Sequence, residues 1–300
     1  MNEILQLNTI AQAHQLLGDK PKHPLVSVID FSKVENPPTQ LPKIVIGFYC
    51  VIFKNDSNCE WKYGRNNYDF QEGTLVFLAP GQALELDLDQ SGKAKNGWGL
   101  IFHPDLLLGT GLDLDQNEYS FFSYEVNEAL HISDREKEIM EDLVDKIKNE
   151  IEANIDRHSK RLIVSSIELL LNYCVRFYDR QFITRSHKNN SFIAQFERVL
   201  KEYLNTEELV EKGLPSVTYL AEKVNLSSGY LSDLLKKETG KSAIEHIHYQ
   251  LIEKAKYLLL NSNVSIKEIA FDLGFEYPQH FNKLFKKNTG VSPSVFRKSS

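Results

Sequence analysis

The chain has 300 residues, and because a single hydrophobic core stops growing at roughly 250 residues, we expect two domains. Its composition, 42% hydrophobic and 25% charged, is that of an ordinary globular protein, without the run of roughly 18 apolar residues that a membrane span needs. The net charge of −6 does not favour nucleic acid as a partner. It divides, however, into −8 over residues 1–191 (20 basic, 28 acidic) and +2 over residues 192–300 (15 basic, 13 acidic).

Three cysteines, Cys50, Cys59 and Cys174, are widely spaced and odd in number. Such a set argues against a disulfide framework and against a zinc site, and it fits a reducing compartment. The first ten residues, MNEILQLNTI, lack the basic segment and apolar core of a signal peptide. We therefore predict a cytoplasmic protein without membrane contact.

Residues from about 24 to 105 have the pattern of β-structure. Short β-branched and aromatic runs, among them LVSVIDF, KIVIGFYCVIF, CEWKYG, TLVFLAP and GWGLIF, alternate with turn clusters such as NPPTQLP, KNDSN and QSGKAKNG. Many short strands with frequent turns predict a barrel or a double sheet.

Two long helices are predicted after the strands, at 133–155 and 158–182. The first begins at a capping box formed by Ser133 and Glu136, and both carry apolar residues at helical spacing. The pair either covers the core of the strand domain or forms a dimer surface, and both interpretations stay open. For the dimer interpretation we expect Leu143 and Leu170 to point outward.

A linker is predicted at residues 184–191, TRSHKNNS, because this segment is polar and has no apolar anchor. The rest of the chain, residues 192–300, has helical periodicity. These boundaries predict one domain over residues 1–183 and a second over residues 192–300.

An internal repeat lies within residues 192–300. LLKKETGKS at 234–242 recurs as LFKKNTGVS at 284–292, an offset of 50, and Leu220-Ala221 recurs as Ile269-Ala270, an offset of 49. Two copies are too few for a solenoid, which needs at least about three. The repeat therefore predicts a duplicated module.

Each copy has the pattern of a helix, a tight turn and a second helix. In the second copy a capping box opens at Ser265, Gly274 is placed to stop the first helix, Pro278 suits the start of the next, and Gly290 ends it. The first copy runs from Val217 to a glycine at 240 with Asn225 in its turn. Such a helix pair is typical of the unit that reads DNA in the major groove.

Between the copies, Ser242 caps a helix predicted to run to about Leu260. Its roughly 19 residues would span about 28 Å. This length is close to the ~34 Å turn of B-DNA, so one chain could place both units on the same face of a duplex.

The sequence SIKEIAFDLGFEYPQHFNKLFKKNTGVSPSVFRK resembles the signature of the AraC/XylS family of bacterial transcription regulators. The resemblance implies a seven-helix domain over residues 192–300 with two helix-turn-helix units that bind double-stranded DNA. More weakly, EGTLVFLAPGQALELD resembles the cupin-like effector-binding domains of that family. The predicted fold class is therefore α+β, with an N-terminal cupin-like β-barrel and helix pair followed by an all-α DNA-binding domain.

The predicted DNA contacts are the outward residues of the two second helices. The resemblance implies base contacts at Gly229, Ser232 and Asp233 in the first copy and at Pro278, Gln279, Asn282 and Lys283 in the second. Amide side chains can pair with adenine and lysine can reach guanine. Lysines nearer the helix ends, Lys236, Lys237, Lys286 and Lys287, are expected to meet phosphates. The alternative is an ordinary solvated helix face.

The first domain offers a weaker candidate site. Five aromatic residues could line an effector cavity or simply form barrel core: Trp61, Tyr63, Tyr68, Phe70 and Trp98. No H-x-H motif occurs in residues 1–191, so we predict neither a metal nor another cofactor.

The predicted function is a transcription regulator, not an enzyme, with a small-molecule effector, RNA polymerase and a second copy of the chain as candidate partners besides DNA. Three alternatives remain. One is a cupin enzyme with a DNA-binding tail, and another is an alkyl-accepting DNA-repair protein. The third is a module whose first domain has lost its ligand and only dimerises.

Overall fold

The computed structural model describes residues 4–17, 20–34, 43–54, 61–63, 66–68, 73–84, 97–112, 114, 118–125, 128–184 and 186–298. The chain divides into two units, Met1–Ile183 and Thr184–Ser300, and the division falls at the start of the predicted linker. The roles predicted for the two units stay predictions. No helix in the described part of the chain has an apolar stretch that could cross a bilayer.

The strands described in the N-terminal unit are arranged in three sheets. They are β1 (Ile4–Leu7), β2 (Val26–Asp30), β3 (Lys43–Ile46), β4 (Tyr49–Lys54), β5 (Trp61–Tyr63), β6 (Asn66–Tyr68), β7 (Thr74–Leu78), β8 (Ala83–Leu84), β9 (Gly97–Phe102) and β10 (Leu130–His131). An antiparallel sheet has the order β10-β7-β4-β9-β2, a second has the order β1-β3-β8, and β5 pairs with β6. Over the described residues the sheets do not close into a barrel, while the mixture of sheets and helices is as predicted.

One predicted apolar run, KIVIGFYCVIF, contributes to two sheets. The chain leaves β3 at Gly47, whose amide donates to the Leu7 carbonyl oxygen at 2.8 Å, and it re-enters the larger sheet at Tyr49. A Cβ at Gly47 would lie 3.0 Å from the Cα of Asn8, so the small residue permits this close approach. Hydrophobicity continues through the bend because both sheets face a common core.

A strand and a helix that the sequence did not indicate precede the predicted β-region. Helix α1 (Ile10–Leu16) begins with a capping box between Thr9 and Gln12, and β1 pairs in parallel with β3. Ile10 and Ala13 are buried in the core between the two larger sheets. The short helix therefore closes one side of that core.

The helix pair is present as α2 (Asp134–Glu152) and α3 (Ser159–Thr184), with the predicted capping box at Ser133 and Glu136. Leu143 and Leu170, expected to point outward, are only 4% and 0% exposed, so that expectation is wrong. Their positions match the core-cover interpretation, because the side chains of α3 pack against the large sheet, with Tyr178 close to Phe77.

The C-terminal unit is entirely helical over its described residues. Its helices are α4 (Ser186–Leu204), α5 (Glu208–Lys212), α6 (Val217–Lys223), α7 (Ser228–Thr239), α8 (Ala243–Asn261), α9 (Ile266–Asp272), α10 (Pro278–Thr289) and α11 (Pro293–Lys298). There are eight helices where the family resemblance implied seven, and α5, with five residues, is the shortest of them.

The predicted linker is not an extended segment, because α4 includes its last six residues. Asn189 is 2% exposed, and its Nδ2 donates to Glu238 Oε1 at 2.7 Å. A polar residue can be buried at this position because a carboxylate accepts its hydrogen bond. This end of the predicted linker is therefore packed, although it has no apolar anchor.

Candidate nucleic-acid interface

The second copy of the repeat is α9, a tight turn and α10. Ser265 Oγ accepts from the Glu268 amide at 3.1 Å, while Glu268 Oε2 accepts from the Ser265 amide at 2.9 Å. These two hydrogen bonds start α9 and lower the pKa of the Glu268 carboxyl. Gly274 ends the helix at φ 78°, and Pro278 occupies the first turn of α10, as predicted.

The first copy, α6 followed by α7, repeats this arrangement with different residues. Ser216 and Ser227 accept from backbone amides at the two helix starts, each at 3.1 Å. Asn225 is the equivalent of Gly274 in the turn of the first copy. Its φ is 56°, and among the described residues it is the non-glycine residue with a left-handed backbone. Gly240 ends α7 as Gly290 ends α10, both left-handed. The backbone of the two copies therefore follows the same scheme.

The inner faces of both second helices are packed. Leu231, Leu234 and Leu235 of α7 are fully buried, as are Phe281 and Phe285 of α10. Phe285 meets Phe296 of α11 edge-on, with ring centroids 5.5 Å apart. This packing fixes the orientation of each helix, so the opposite face is the one available to a ligand.

On α10 the predicted contact residues share an exposed face. Gln279, Asn282, Lys283, Lys286 and Lys287 are exposed, and Pro278 is half-buried. On α7 the match is poorer. Lys236 and Lys237 are exposed, but Gly229, Ser232 and Asp233 are half-buried, and the Ser232 hydroxyl donates to the Ser228 carbonyl oxygen at 2.7 Å.

A groove runs beside α10, between that helix and the first residues of α9 and α11. We refer to it as the α10 groove. It is lined by Ile266, Lys267, Pro278, Asn282, Lys283, Lys286, Ser292, Pro293 and Ser294. Lys267, Ser292 and Ser294 were not among the predicted contacts. The prediction was limited to the outward faces of the two second helices, whereas these three residues lie at the starts of α9 and α11.

Helix α8 joins the two copies as a continuous helix of 19 residues, the length predicted from its capping box. It is held at several points. His246 Nε2 lies 2.8 Å from Thr239 Oγ1 at the end of α7, and Lys254 Nζ donates to the Leu204 carbonyl oxygen at the end of α4. Burial lowers the pKa of both His246 and Lys254. Arg297 Nε of α11 donates to the carbonyl oxygen of Leu259, and α8 also packs against α9 and α10, so α8 is tied to both copies.

In the N-terminal unit, Trp98 is the predicted effector-site residue whose side chain the structure describes. It is 8% exposed and stacks on Phe53, with centroids 5.6 Å apart, in the position of a core residue. Its indole nitrogen has no hydrogen-bond partner among the described residues. For Trp61, Tyr63 and Tyr68 only the backbone is described, in β5 and β6, and Phe70 lies outside the described residues.

The described part of this unit offers neither a cluster of metal ligands nor a reactive thiol. There, no three histidine, cysteine or carboxylate residues come together as a metal site. Burial raises the pKa of the Cys50 and Cys174 thiols, which makes them poor nucleophiles. Cys59 lies outside the described residues.

Comparison with known proteins agrees with the geometry of the C-terminal unit. A family profile described as a helix-turn-helix domain matches residues 220–299. The Msm operon regulatory protein of Streptococcus mutans is 42% identical over 82 residues, 27% of this chain and 30% of that protein. The HTH-type transcriptional regulator YfiF of Bacillus subtilis is 32% identical over 139 residues, 46% of this chain and 41% of that protein. The arabinose operon regulatory protein of Escherichia coli is 36% identical over 81 residues, 27% and 28% of the two chains.

Among solved structures, the C-terminal domain of a response regulator from Fusobacterium nucleatum is 35% identical. The match covers 32% of this chain and 96% of the Fusobacterium domain, with a TM-score of 0.27. The chain spans less than half the length of the three relatives from Streptococcus, Bacillus and Escherichia, each of which is named as a regulatory protein or transcriptional regulator. The repeat, its helix-turn-helix geometry and the family profile together identify residues 220–299 as a helix-turn-helix domain, in keeping with the AraC/XylS resemblance of the sequence, and the chain is similar over 81 residues to the arabinose operon regulatory protein.

Proposed function

We propose that this protein is a sequence-specific regulator of transcription that acts in the cytoplasm and reads double-stranded DNA with α7 and α10. One observation carries the proposal: two helix-turn-helix copies are fixed to the ends of one rigid helix, α8. A spacer of about 28 Å suits two recognition helices that enter successive major-groove segments on one face of a duplex.

The side chains on α10 are suited to reading bases. Gln279 and Asn282 can each form two hydrogen bonds with adenine, and Lys283 can donate to guanine. Lys286 and Lys287 lie farther along the helix and meet phosphates, which supply affinity without sequence information. On α7 the corresponding reader is Asp233, which can only accept, as from the amino group of cytosine.

Selection of bound duplexes from a random pool by the purified full-length chain tests this proposal. We expect two short motifs whose centres lie about one helical turn, roughly 10 base pairs, apart. Recovery of one motif would mean that a single copy reads DNA. Binding without any enriched sequence would contradict sequence-specific regulation.

For the N-terminal unit we propose a cupin-like fold and control by a small-molecule effector. Support comes from its separate core and from the buried Trp98 indole, a donor that a polar effector could satisfy. The alternative is a unit that only dimerises. A thermal-shift screen against metabolites separates them, because a ligand of the native state must raise its stability. A Trp98→Phe variant that abolishes such a shift would place the effector beside the indole.

The same proposal includes a homodimer and contact with RNA polymerase. Helix α3 exposes Leu162 and Leu169, seven residues apart and so on one side of the helix. We expect Leu169→Glu to lower the mass measured by light scattering from that of a dimer to that of a monomer, without loss of helical content. An unchanged mass would exclude this face as the dimer surface.

A further inference from the structure

The α10 groove contains more positive charge than the recognition helix alone explains. Among its nine described residues, three are lysines and none is a carboxylate. Lys267, Lys283 and Lys286 are exposed, and no described carboxylate forms an ion pair with any of them. Lys267 lies over the ring of Phe271, 5.9 Å from its centroid, a contact that leaves its charge uncompensated.

The first copy differs in charge at the equivalent positions. The repeat offsets relate Lys267 to Thr218, Lys283 to Asp233 and Ser294 to Ile244. One lysine of the three remains there, Lys236, and a carboxylate has been added. The positive groove is therefore a property of the second copy and not of the helix-turn-helix scaffold.

A second difference concerns the serine that precedes the next helix in each copy. In the first copy, Ser242 donates to Glu245 Oε2 through its amide, at 2.7 Å, and through its hydroxyl, at 2.9 Å. In the second copy the residue at the Glu245 position is Val295. Ser292 Oγ instead lies 3.0 Å from Ser294 Oγ, so two hydroxyl groups lie together at the groove wall. The first copy thus supplies its own anion to this serine, and the second does not.

We propose that the α10 groove binds one phosphate of the DNA backbone, held by Lys267 and Lys286 and by hydroxyl donation from Ser292 and Ser294. This inference rests on the proposed DNA-binding function. When α10 enters a major groove, the sugar-phosphate backbone runs alongside it, and the α10 groove opens on the side of Asn282 and Lys283. Lysine suits such a site because it acts on phosphate as a point charge.

Binding of the full-length chain to the selected duplex and to a scrambled duplex, from 50 to 200 mM salt, tests the site. Lys267→Ala should weaken binding to both duplexes by the same factor and lower the slope of log affinity against log salt by about 0.9. The ratio of the variant's dissociation constant to that of the wild type should therefore fall about threefold as the salt rises from 50 to 200 mM. Lys201→Ala, an exposed lysine of α4 outside the groove, is the matched control and should change neither quantity.

A second pair of variants tests whether the site needs an uncharged residue at position 295, where the first copy has the carboxylate of Glu245. Val295 is 51% exposed, so Val295→Glu and Val295→Gln should both fold, and both can form a capping box with Ser292. Val295→Glu introduces the carboxylate of the first copy and should weaken binding to both duplexes at least as much as Lys267→Ala. Val295→Gln should bind as wild type does, and thermal midpoints of both should equal or exceed the wild-type value.

An unchanged salt slope in Lys267→Ala, or equal losses in Val295→Glu and Val295→Gln, would overturn the phosphate site. A loss in Lys267→Ala on the selected duplex alone would also overturn it, because Lys267 would then read a base. Failure of the wild-type chain to bind any duplex is a different result, since it would refute the proposed function itself.

Discussion

The two helix-turn-helix copies share a backbone and differ in the surface they offer to DNA. Both begin their first helices at serine caps and end their second helices at left-handed glycines. The second copy exposes Asn282 and Lys283 where the first has a half-buried Ser232 and Asp233. The comparison shows that the fold requires caps, turns and an apolar inner face, whereas the outer face is free to take on different recognition tasks.

The copies also differ in how the end of the recognition helix is held. In the first copy Glu238 accepts from Asn189 of α4, and Thr239 contacts His246 of α8. In the second copy the equivalent of Glu238 is Asn288, which donates back to the Leu284 carbonyl oxygen of its own helix. The first recognition helix is thus anchored to the residues next to the domain boundary, and the second is not.

The largest effect is expected at the turn. A Cβ at Gly274 would lie 2.4 Å from the Leu209 carbonyl oxygen at φ 78°, so Gly274→Ala should lower the free energy of unfolding by about 3 kcal/mol or more. Asn225→Ala, at the same turn of the first copy, should cost about 1 kcal/mol, because the strain of the left-handed backbone remains without a clash. Urea denaturation of residues 184–300, followed by circular dichroism, measures both, and equal losses would contradict the importance of the contact with Leu209.

The next largest effect is expected on DNA binding when a base-contacting side chain is removed, and it should differ between the two copies. We expect Lys283→Ala to cost about 1–3 kcal/mol of binding and to relax preference at one or two base pairs, because it removes a base contact. Asp233→Ala should cost less, since Asp233 also repels phosphate. Dissociation constants on matched and scrambled duplexes decide between these outcomes.

Lys287→Ala is the control for that experiment, because this lysine is expected beside the backbone. It should weaken all sequences equally and lower the salt slope by roughly one counterion. If Lys283→Ala and Lys287→Ala lost affinity equally on every sequence, the face assigned to α10 would be wrong.

The anchor of the first copy should have a smaller effect, on stability. Asn189→Ala removes a hydrogen bond to a carboxylate, and we expect the free energy of unfolding of residues 184–300 to fall by about 1.5 kcal/mol, the lower end for such bonds, because Glu238 keeps access to water. A fragment that begins at Phe192 lacks Asn189 and should show a similar loss. Asn288→Ala is the matched change in the second copy and should have little effect, because Asn288 is exposed.

The smallest effect concerns the capping box of α9, which α6 lacks because Tyr219 stands where α9 has Glu268. The hydrogen bonds from Ser265 lower the pKa of the Glu268 carboxyl from 4.5. The carboxylate therefore stabilises the folded state above pH 4.5, and this contribution is lost as the pH falls through the lower, folded pKa. Glu268→Gln should keep the box but lose this pH dependence, which denaturation at pH 3 to 6 would measure. If the free energy of unfolding changed with pH in the same way for variant and wild type, the role of the Glu268 carboxylate would be contradicted.

The sequence alone determined the layout of the C-terminal unit. Serine caps at positions 242 and 265, the turn residues Gly274 and Pro278, and the repeat offsets located α8, α9 and α10 to within a residue or two. These signals suffice because a cap or a left-handed glycine acts on the backbone within one turn of itself, so its effect does not depend on distant residues.

Tertiary structure decided the rest, and in each case the deciding partner is remote in sequence. Leu143 and Leu170 carry the apolar periodicity of either a core or an interface, and packing within the N-terminal unit made them core. The start of α4 is packed through a hydrogen bond from Asn189 to Glu238, 49 positions away. Lys267 joins the α10 groove because three helices converge there. Sequence periodicity shows which face of a helix is apolar, but burial and charge clusters arise between elements, and only folding brings those elements together.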